Sequence, residues 1–304
     1  MSYEGSASLV ELPLRVGART VGRLRRRLVR VSLPLAEAIA GAPARLPGLP
    51  TRADGYFIRG LPRDRAARLA AESGLRGHAR QHYSRRFAAL DGGFDAYLAS
   101  FSAKTRSTLK RKLRRFAEEA GGAIDVRCFS GPLEVEEFHR QARIVSGLTY
   151  QERLLDAGLP AGALEEMRAL ARRDALRGWV LFLLGKPVAY LYAPAEGDTL
   201  IYAYLGYDPE HAALSPGTVL QFEAMRMLMA EGRFRWFDFT EGDGQHKRQF
   251  ATGGIDSVDL LLLRPTAANL LTASALGGFD GAVARAKGLL ARLGLQGVAR
   301  AFRR

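Results

Sequence analysis

Ten consecutive residues, Asp238-Phe239-Thr240-Glu241-Gly242-Asp243-Gly244-Gln245-His246-Lys247, put carboxylates, an imidazole and an amine beside two glycines. Asp, Glu and His are the groups that most often carry protons in catalysis near neutral pH. The preceding run Arg235–Phe239 reads as a strand, so these groups spill out past a strand end, where open sheets tend to bind ligands. The same pattern also describes a solvated, acid-capped helix start, and both readings stay open at this point. No His/Asp ligand spacing in the chain demands a metal.

A second set is Leu205-Gly206-Tyr207-Asp208-Pro209 followed by Leu214-Ser215-Pro216-Gly217-Thr218. Ser215-Pro216 is a strong helix start, a capping hydroxyl and then Pro at the first helical position. A helix N-terminus offers unpaired amides and the positive end of a dipole, which suits a pyrophosphate. Gly217 would let a ligand approach the backbone. Read without a ligand, Ser215-Pro216-Gly217 is a cap and nothing more. The third set is the basic run Lys104–Arg115. Most of its charges read as a solvated helix face, because the aromatic residues that stack bases are missing from it. The five histidines are scattered, and no G-x-S-x-G supports a serine nucleophile.

These groups must be positioned by the elements around them. Leu109, Leu113, Phe116 and Ala120 keep a helical rhythm across Phe94–Ala120, and Gly121-Gly122 stands where a helix stops. Ile124–Phe129 reads as a strand, and helices follow near 133–146 and 161–175. Trp179–Leu184, Val188–Ala193 and Leu200–Tyr207 are strand-like and separated by short turns, which predicts an antiparallel meander. A helix to about Glu231, the strand Arg235–Phe239, a short helix over Asp243–Ala251 and the strand Val258–Leu263 complete the order. The expected fold class is α+β, a mixed and largely antiparallel sheet flanked by helices.

Toward the N-terminus, residues 16–32 predict a short basic helix, with Leu24, Leu28 and Val31 on one face and Arg23, Arg26, Arg27 and Arg30 on the other. Residues 41–50 carry three prolines and read as a linker. In the tail, Arg285, Arg292 and Arg303 share a helical face, roughly opposite Val283, Leu290, Val298 and Ala301. Residues 19–30 and 283–304 thus read as interfacial helices with an arginine face, and an anionic membrane surface is the partner that pattern suits.

The 304 residues carry 45 Lys and Arg against 31 Asp and Glu, a net charge of +14. That favours polyanionic partners without choosing among nucleic acid, anionic lipid and phosphorylated cofactors. The single cysteine, Cys128, excludes an internal disulfide and a cysteine-based zinc site. No opening signal pattern and no segment of about 20 apolar residues is present. The expected location is cytoplasmic, at most peripheral to the inner membrane.

From about Phe94 to Leu263 the chain resembles the CelD-like acetyltransferases, which are related to the Fem peptidyltransferases. Three pieces carry the resemblance: Ser102-Ala103-Lys104-Thr105-Arg106-Ser107-Thr108-Leu109-Lys110-Arg111-Lys112; Tyr207-Asp208-Pro209 with Ser215-Pro216-Gly217-Thr218-Val219-Leu220; and Asp238-Phe239 with Gly242-Asp243 and Lys247. The resemblance implies the GNAT fold, in which two central strands splay to admit the pantetheine of an acyl donor. Here they would be Leu200–Tyr207 and Arg235–Phe239. Two departures stand out. The Gly-rich phosphate loop Q/R-x-x-G-x-G/A is replaced by Ser215-Pro216-Gly217, and His246 stands where the family has Tyr.

On that resemblance, residues 123–265 are the GNAT-like acyltransferase domain. Residues 51–122 are a degenerate N-terminal half with a basic helix, 1–50 a basic segment and linker, and 266–304 a basic tail. The implied activity is N-acyl transfer from acyl-CoA or acyl-carrier protein, as co-substrate rather than bound cofactor, to an amine on an envelope sugar, lipid or peptide. Asp243, Glu241 and His246 are candidate bases, and Tyr204 or Tyr207 would protonate the leaving thiolate. Leu205, Gly206, Ser215, Gly217 and Thr218 would hold the donor; Lys247, Asp238, Lys104 and Arg106 would hold the acceptor. Two alternatives are a tRNA-dependent aminoacyl transferase of the Fem type and a non-enzymatic, degenerate GNAT protein at the inner membrane, linked to antimicrobial-peptide resistance.

Overall fold

The strand Leu176–Leu183 is apolar at nearly every position because both of its faces are covered. Trp179 and Leu181 point into one core, Val180 and Phe182 into the other, and all four are buried. In this computed structural model, which describes residues 2–3, 6–17, 19–149, 158–242 and 244–292, the chain divides into two compact units. They are Met1–Tyr83 with Asp256–Arg304, and Ser84–Ile255.

In the unit Ser84–Ile255, Leu176–Leu183 pairs antiparallel with Asp125–Phe129 on one side and with Lys186–Glu196 on the other. Lys186–Glu196 in turn pairs antiparallel with Thr199–Ile201 and with Tyr204–Tyr207. Thr199–Ile201 runs parallel to Trp236–Asp238, whose other edge pairs antiparallel with Phe87–Ala89. The sheet is therefore mixed and largely antiparallel, as expected from the short turns. The expected third meander strand is broken into two pieces at Tyr202 and Ala203, with consequences described below.

Helices cover both faces. The basic helix Ala103–Glu119 starts at Ser102, whose hydroxyl accepts the amide of Thr105 at 3.2 Å, and ends at Gly121 and Gly122 with φ of 83° and 107°. Leu109 and Phe116 are buried, with Leu113 packed beside them, as the helical spacing requires. They share a core with Leu220 and Met225 of the helix Pro216–Glu231. On the opposite face, Phe138 and Val145 of Val135–Leu148 and Met167 of Leu164–Ala171 pack on Val180, Tyr190 and Tyr192.

In the other unit, the expected helix over 16–32 does not form. Arg19–Ser32 is a strand, and it makes a long hairpin with Ser8–Val16. Leu24, Leu28 and Val31 fit a helical period, but Gly22 weakens a helix, and the β-branched Thr20, Val21, Val29 and Val31 favour extended backbone. The alternation Val10, Leu12, Leu14 in the neighbouring segment supplies a partner with a matching apolar face. That face packs against the helix Ala267–Arg292 through Leu276. Arg26 points inward too, and its guanidinium donates to the carbonyl of Ala268 at 2.7 Å. The end of Arg19–Ser32 runs parallel to Gly55–Pro62, which pairs antiparallel with residues 257–263. The basic tail beyond Arg292, including Val298, Ala301 and Arg303, lies outside the described residues.

Gly178 offers a direct test of how tightly the Ser84–Ile255 unit is packed. A Cβ there would lie 2.6 Å from the ring of Phe138, which is fully buried. Gly178→Ala should destabilise the protein by about 1–3 kcal/mol, the usual cost of overpacking. Phe138→Leu in that background should recover part of the loss. A urea-unfolding midpoint unchanged by Gly178→Ala would contradict this packing.

Candidate active site

Two adjacent amides take hydrogen bonds in opposite directions. Tyr202 donates its amide to the carbonyl of Asp238 at 2.8 Å, and Ala203 donates to the carbonyl of Tyr192 at 3.2 Å. Up to Tyr202 the chain belongs with Trp236–Asp238; from Ala203 it belongs with Lys186–Glu196. Past this point Tyr204–Tyr207 and the continuation of Trp236–Asp238 have separate partners, and among the described residues no strand pairing joins them. The sheet opens there, between the two strands expected to splay.

The base of the opening is built from Tyr202, His246 and Lys247. The Tyr202 ring packs against Phe237 and Phe239, and its hydroxyl lies 3.2 Å from Nε2 of His246. Burial raises the pKa of Tyr202, so the phenol keeps its proton. Burial and the neighbouring Lys247 lower that of His246, so the imidazole is neutral near pH 7 and able to accept a proton. The phenol keeps its proton and the ring nitrogen stays neutral, so their contact holds the imidazole in place. Lys247 lies 5.3 Å above the Tyr202 ring and donates to the carbonyls of Phe239, at 2.6 Å, and of Glu241. Burial lowers its pKa, with Glu241 and Asp238 opposing.

Asp238 is buried and fully engaged. Its Oδ2 accepts Nε of Arg85 at 3.0 Å, and its Oδ1 accepts the amide of Thr240 at 2.7 Å. Thr240 and Gly242 have φ of 59° and 96°, so the chain leaves the strand through a tight turn that Asp238 and Lys247 hold from either side. Asp238 and Lys247 therefore shape the rim; both already have protein partners.

The other rim is the start of the helix Pro216–Glu231. Gly217 faces Leu205 and Tyr207: a Cβ there would lie 3.1 Å from the Leu205 side chain and 3.4 Å from the Tyr207 ring. Gly206 faces the other way, where a Cβ would lie 2.5 Å from Tyr190. Ser215 adopts left-handed backbone, φ 56°, and makes no side-chain cap, in contrast to the expected capping hydroxyl. In that conformation its carbonyl, not its hydroxyl, meets the first helical turn, accepting the amides of Thr218 and Val219 at 2.9 and 3.1 Å. Thr218 also accepts Nζ of Lys112, from the basic helix, at 3.2 Å. Burial and Arg111 lower the pKa of Lys112. An ammonium beside the positive end of a helix dipole, with no carboxylate paired to it among the described residues, is a cradle for an anion. Asp208 fixes the approach to this helix: its carboxylate accepts the amide of Glu210 at 3.0 Å and lies 3.1 Å from Nδ1 of His211.

The remaining candidates separate. Tyr207 is exposed beside the helix start, whereas Tyr204 stacks on Tyr192 in the opposite core. The strand alternation that brings Tyr207 to the helix turns Tyr204 away from it. Glu241 is exposed and joins the rim through its carbonyl. Arg106 is tied to the carbonyls of Ala99 and Phe101, and Lys104 is an exposed residue of the basic helix. Asp243 lies outside the described residues. Sequence reasoning passed over Tyr202, Lys112, Arg85 and His211. Tyr202 was hidden inside an apparently continuous strand, and Lys112 inside a run of seven similar charges; His211 opens the loop 211–218, to which the resemblance assigns the pyrophosphate without giving His211 a role.

Two outcomes test this geometry. Asp238→Asn removes one member of a buried ion pair and should cost about 3–5 kcal/mol of stability, read as a fall in the denaturation midpoint; a loss within experimental error would contradict the pairing. His246 titrates below its usual 6.5 in the folded chain. The unfolded chain then binds the proton first, so stability falls as pH drops below 6.5 and levels off under the depressed folded value. His246→Gln should flatten that part of the stability profile, and an unchanged slope would show that the ring is not so held.

Residues 103–248 match the family model described as an acetyltransferase (GNAT) domain, just under half of the chain. Among curated proteins no sequence matches. Among solved structures, FemX is similar with a TM-score of 0.54 at 12% identity, over 84% of this chain and 88% of that one. The C-terminal DUF2156 domain of a putative lysylphosphatidylglycerol synthetase from Agrobacterium fabrum gives 0.52 at 14% identity, over 90% of this chain and 85% of that one. At these identities the likeness is one of fold. The split sheet and the helix start beyond it lie within residues 103–248, the part of the chain that matches the GNAT acetyltransferase domain.

Proposed function

We propose that the protein moves an acyl group from a thioester donor, acyl-CoA or acyl-carrier protein, to an amine on an envelope sugar, lipid or peptide at the cytoplasmic side. We place it in the CelD-like branch, near the Fem transferases, on the three motif pieces at Ser102–Lys112, Tyr207–Leu220 and Asp238–Lys247. One observation carries the reading: the opening after Tyr202 leads to a helix start where Thr218 and Lys112 form an anion cradle. Phosphates of the donor sit at Gly217 and Thr218, and its thioester reaches back into the opening.

In the reaction the acceptor amine loses a proton and attacks the thioester carbonyl. A tetrahedral intermediate forms, the carbon–sulfur bond breaks, and the thiolate takes up a proton. Neutral His246 is suited to receive the first proton, with Asp243 and Glu241 as further bases. Tyr207, exposed at the donor end, supplies the second, and Tyr202 holds the imidazole. The unpaired edge of Tyr204–Tyr207 turns amides into the opening, where they can stabilise the oxyanion. Positioning supplies much of such a rate, so no single group need be indispensable.

A second reading, an aminoacyl-tRNA donor, is favoured by the basic helix. A hollow of about 540 Å³ on it is lined by Arg106, Lys110, Arg111 and Arg114, with no carboxylate among its lining residues. FemX and the lysylphosphatidylglycerol synthetase domain have this fold.

Titration calorimetry separates the two. Acetyl-, medium- or long-chain acyl-CoA should bind and should protect residues 200–220 from hydrogen exchange. Lys112→Ala should weaken donor binding by about tenfold, the loss of one charge-assisted hydrogen bond. Asp243→Ala and Lys247→Ala should each lower turnover by at least about tenfold without unfolding the protein. No binding of any acyl-CoA at millimolar concentration would remove the CoA donor and leave carrier protein or tRNA.

A further inference from the structure

The hairpin Ser8–Val16 with Arg19–Ser32 has two unlike faces. One, with Val10, Leu12, Leu24 and Leu28, is buried. The other presents Arg23, Arg25 and Arg27 in a row, all exposed. Alternate residues of a strand stand about 7 Å apart on one face, so the three guanidiniums form a regular cationic ladder. Arg15 extends the charge on the paired strand, opposite Thr20.

Two apolar residues on this face are left in water. Val21 is 60% exposed near the turn, and Leu9 is 59% exposed where its strand pairs with Arg27. They flank the arginine row at either end. A shallow hollow of about 590 Å³ runs along Thr20, Val21, Gly22, Arg23 and Arg25. One carboxylate interrupts the positive charge. Glu11 pairs with Arg25 at 2.8 Å and with Arg23 at 3.3 Å, while Arg27 has no carboxylate partner among the described residues.

We propose that this outer hairpin face, Arg23, Arg25 and Arg27 flanked by Leu9 and Val21, is a docking surface for an anionic lipid bilayer. The arginines meet the lipid phosphates, and Leu9 and Val21 enter the interfacial layer. The charge pattern alone would also suit a nucleic-acid backbone. The apolar flanks decide for lipid: they gain free energy at a bilayer interface, whereas a single-stranded nucleic acid would call for aromatic platforms, and this face has none. The alternation also corrects the sequence-based grouping: a strand puts Arg26 inside, against Ala268, and leaves Arg23, Arg25 and Arg27 together outside. The inference is independent of the acyl-transfer reading and is measured without any substrate.

The test uses the full-length protein and co-sedimentation with phosphatidylglycerol–phosphatidylcholine vesicles, with phosphatidylcholine alone as the neutral control. Binding to the anionic vesicles is expected at low salt and should fall steeply as the Debye length shrinks. R23Q/R25Q/R27Q should cut the partition coefficient by about a hundredfold, since each basic residue at an anionic surface contributes about fivefold. All three side chains are exposed, so the melting temperature of the triple variant should stay close to that of the wild type. Glu11→Gln removes the one interrupting carboxylate and should strengthen binding by about fivefold. That second variant keeps the test decisive if the triple variant fails to fold. Equal binding to neutral vesicles, anionic binding unmoved by either variant, or tighter capture of single-stranded RNA by the same arginines would each overturn the proposal.

Discussion

The candidate site depends on one change of partner in the backbone. A regular strand keeps the same neighbours along its length, and a sheet made of such strands has no opening. Here the amide of Tyr202 is bound to Asp238 and the next amide, of Ala203, to Tyr192. Each amide is satisfied, so the split leaves no orphaned buried donor at the break. The sheet can therefore open from the next residue on, with one edge of Tyr204–Tyr207 left facing the opening.

The surroundings hold the split from both sides. On one side the Arg85–Asp238 pair and the Lys247 ammonium collect the groups at the end of Trp236–Asp238. On the other, Gly206 permits contact with Tyr190, and Gly217 permits contact between the helix start and Leu205 and Tyr207. The far end of that helix is fixed as well. Arg177, buried on Leu176–Leu183, bonds Glu231 at the helix C-terminus and Asp174. A cation there complements the negative end of the helix dipole and keeps the positive end aimed at the opening. Desolvated charges of this kind are costly unless paired, and here they recur where the geometry of the opening must be fixed.

Much of this was legible in the sequence. The apolar runs and short turns of 179–207 gave the meander, Ser215-Pro216 marked the helix start, and Leu109 and Phe116 gave the buried stripe of the basic helix. The break at Tyr202 was not legible, because Leu200–Tyr207 has the composition of one continuous strand and the partner switch is a long-range event. The role of Lys112 was hidden for a similar reason: nothing local distinguishes it from Lys110 or Arg111, and only the packing of two helices brings it to Thr218. The hairpin differs from the expected helix because Leu24, Leu28 and Val31 fit the helical period, whereas in the strand Val31 lies on the opposite face from Leu24 and Leu28. The partner strand that decides for the extended form, Ser8–Val16, shows its match to Arg19–Ser32 only once the two are paired.

The central claim is that the opening after Tyr202 admits a thioester whose phosphates lie at the start of Pro216–Glu231. The most direct measurement is a crystal structure with a non-hydrolysable thioether analogue of acyl-CoA. The account predicts the sulfur between Tyr204–Tyr207 and the end of Trp236–Asp238, and the pyrophosphate on the amide of Gly217 and the hydroxyl of Thr218, within reach of Lys112. An analogue bound elsewhere, or an opening still filled by protein side chains at saturating analogue, would contradict it.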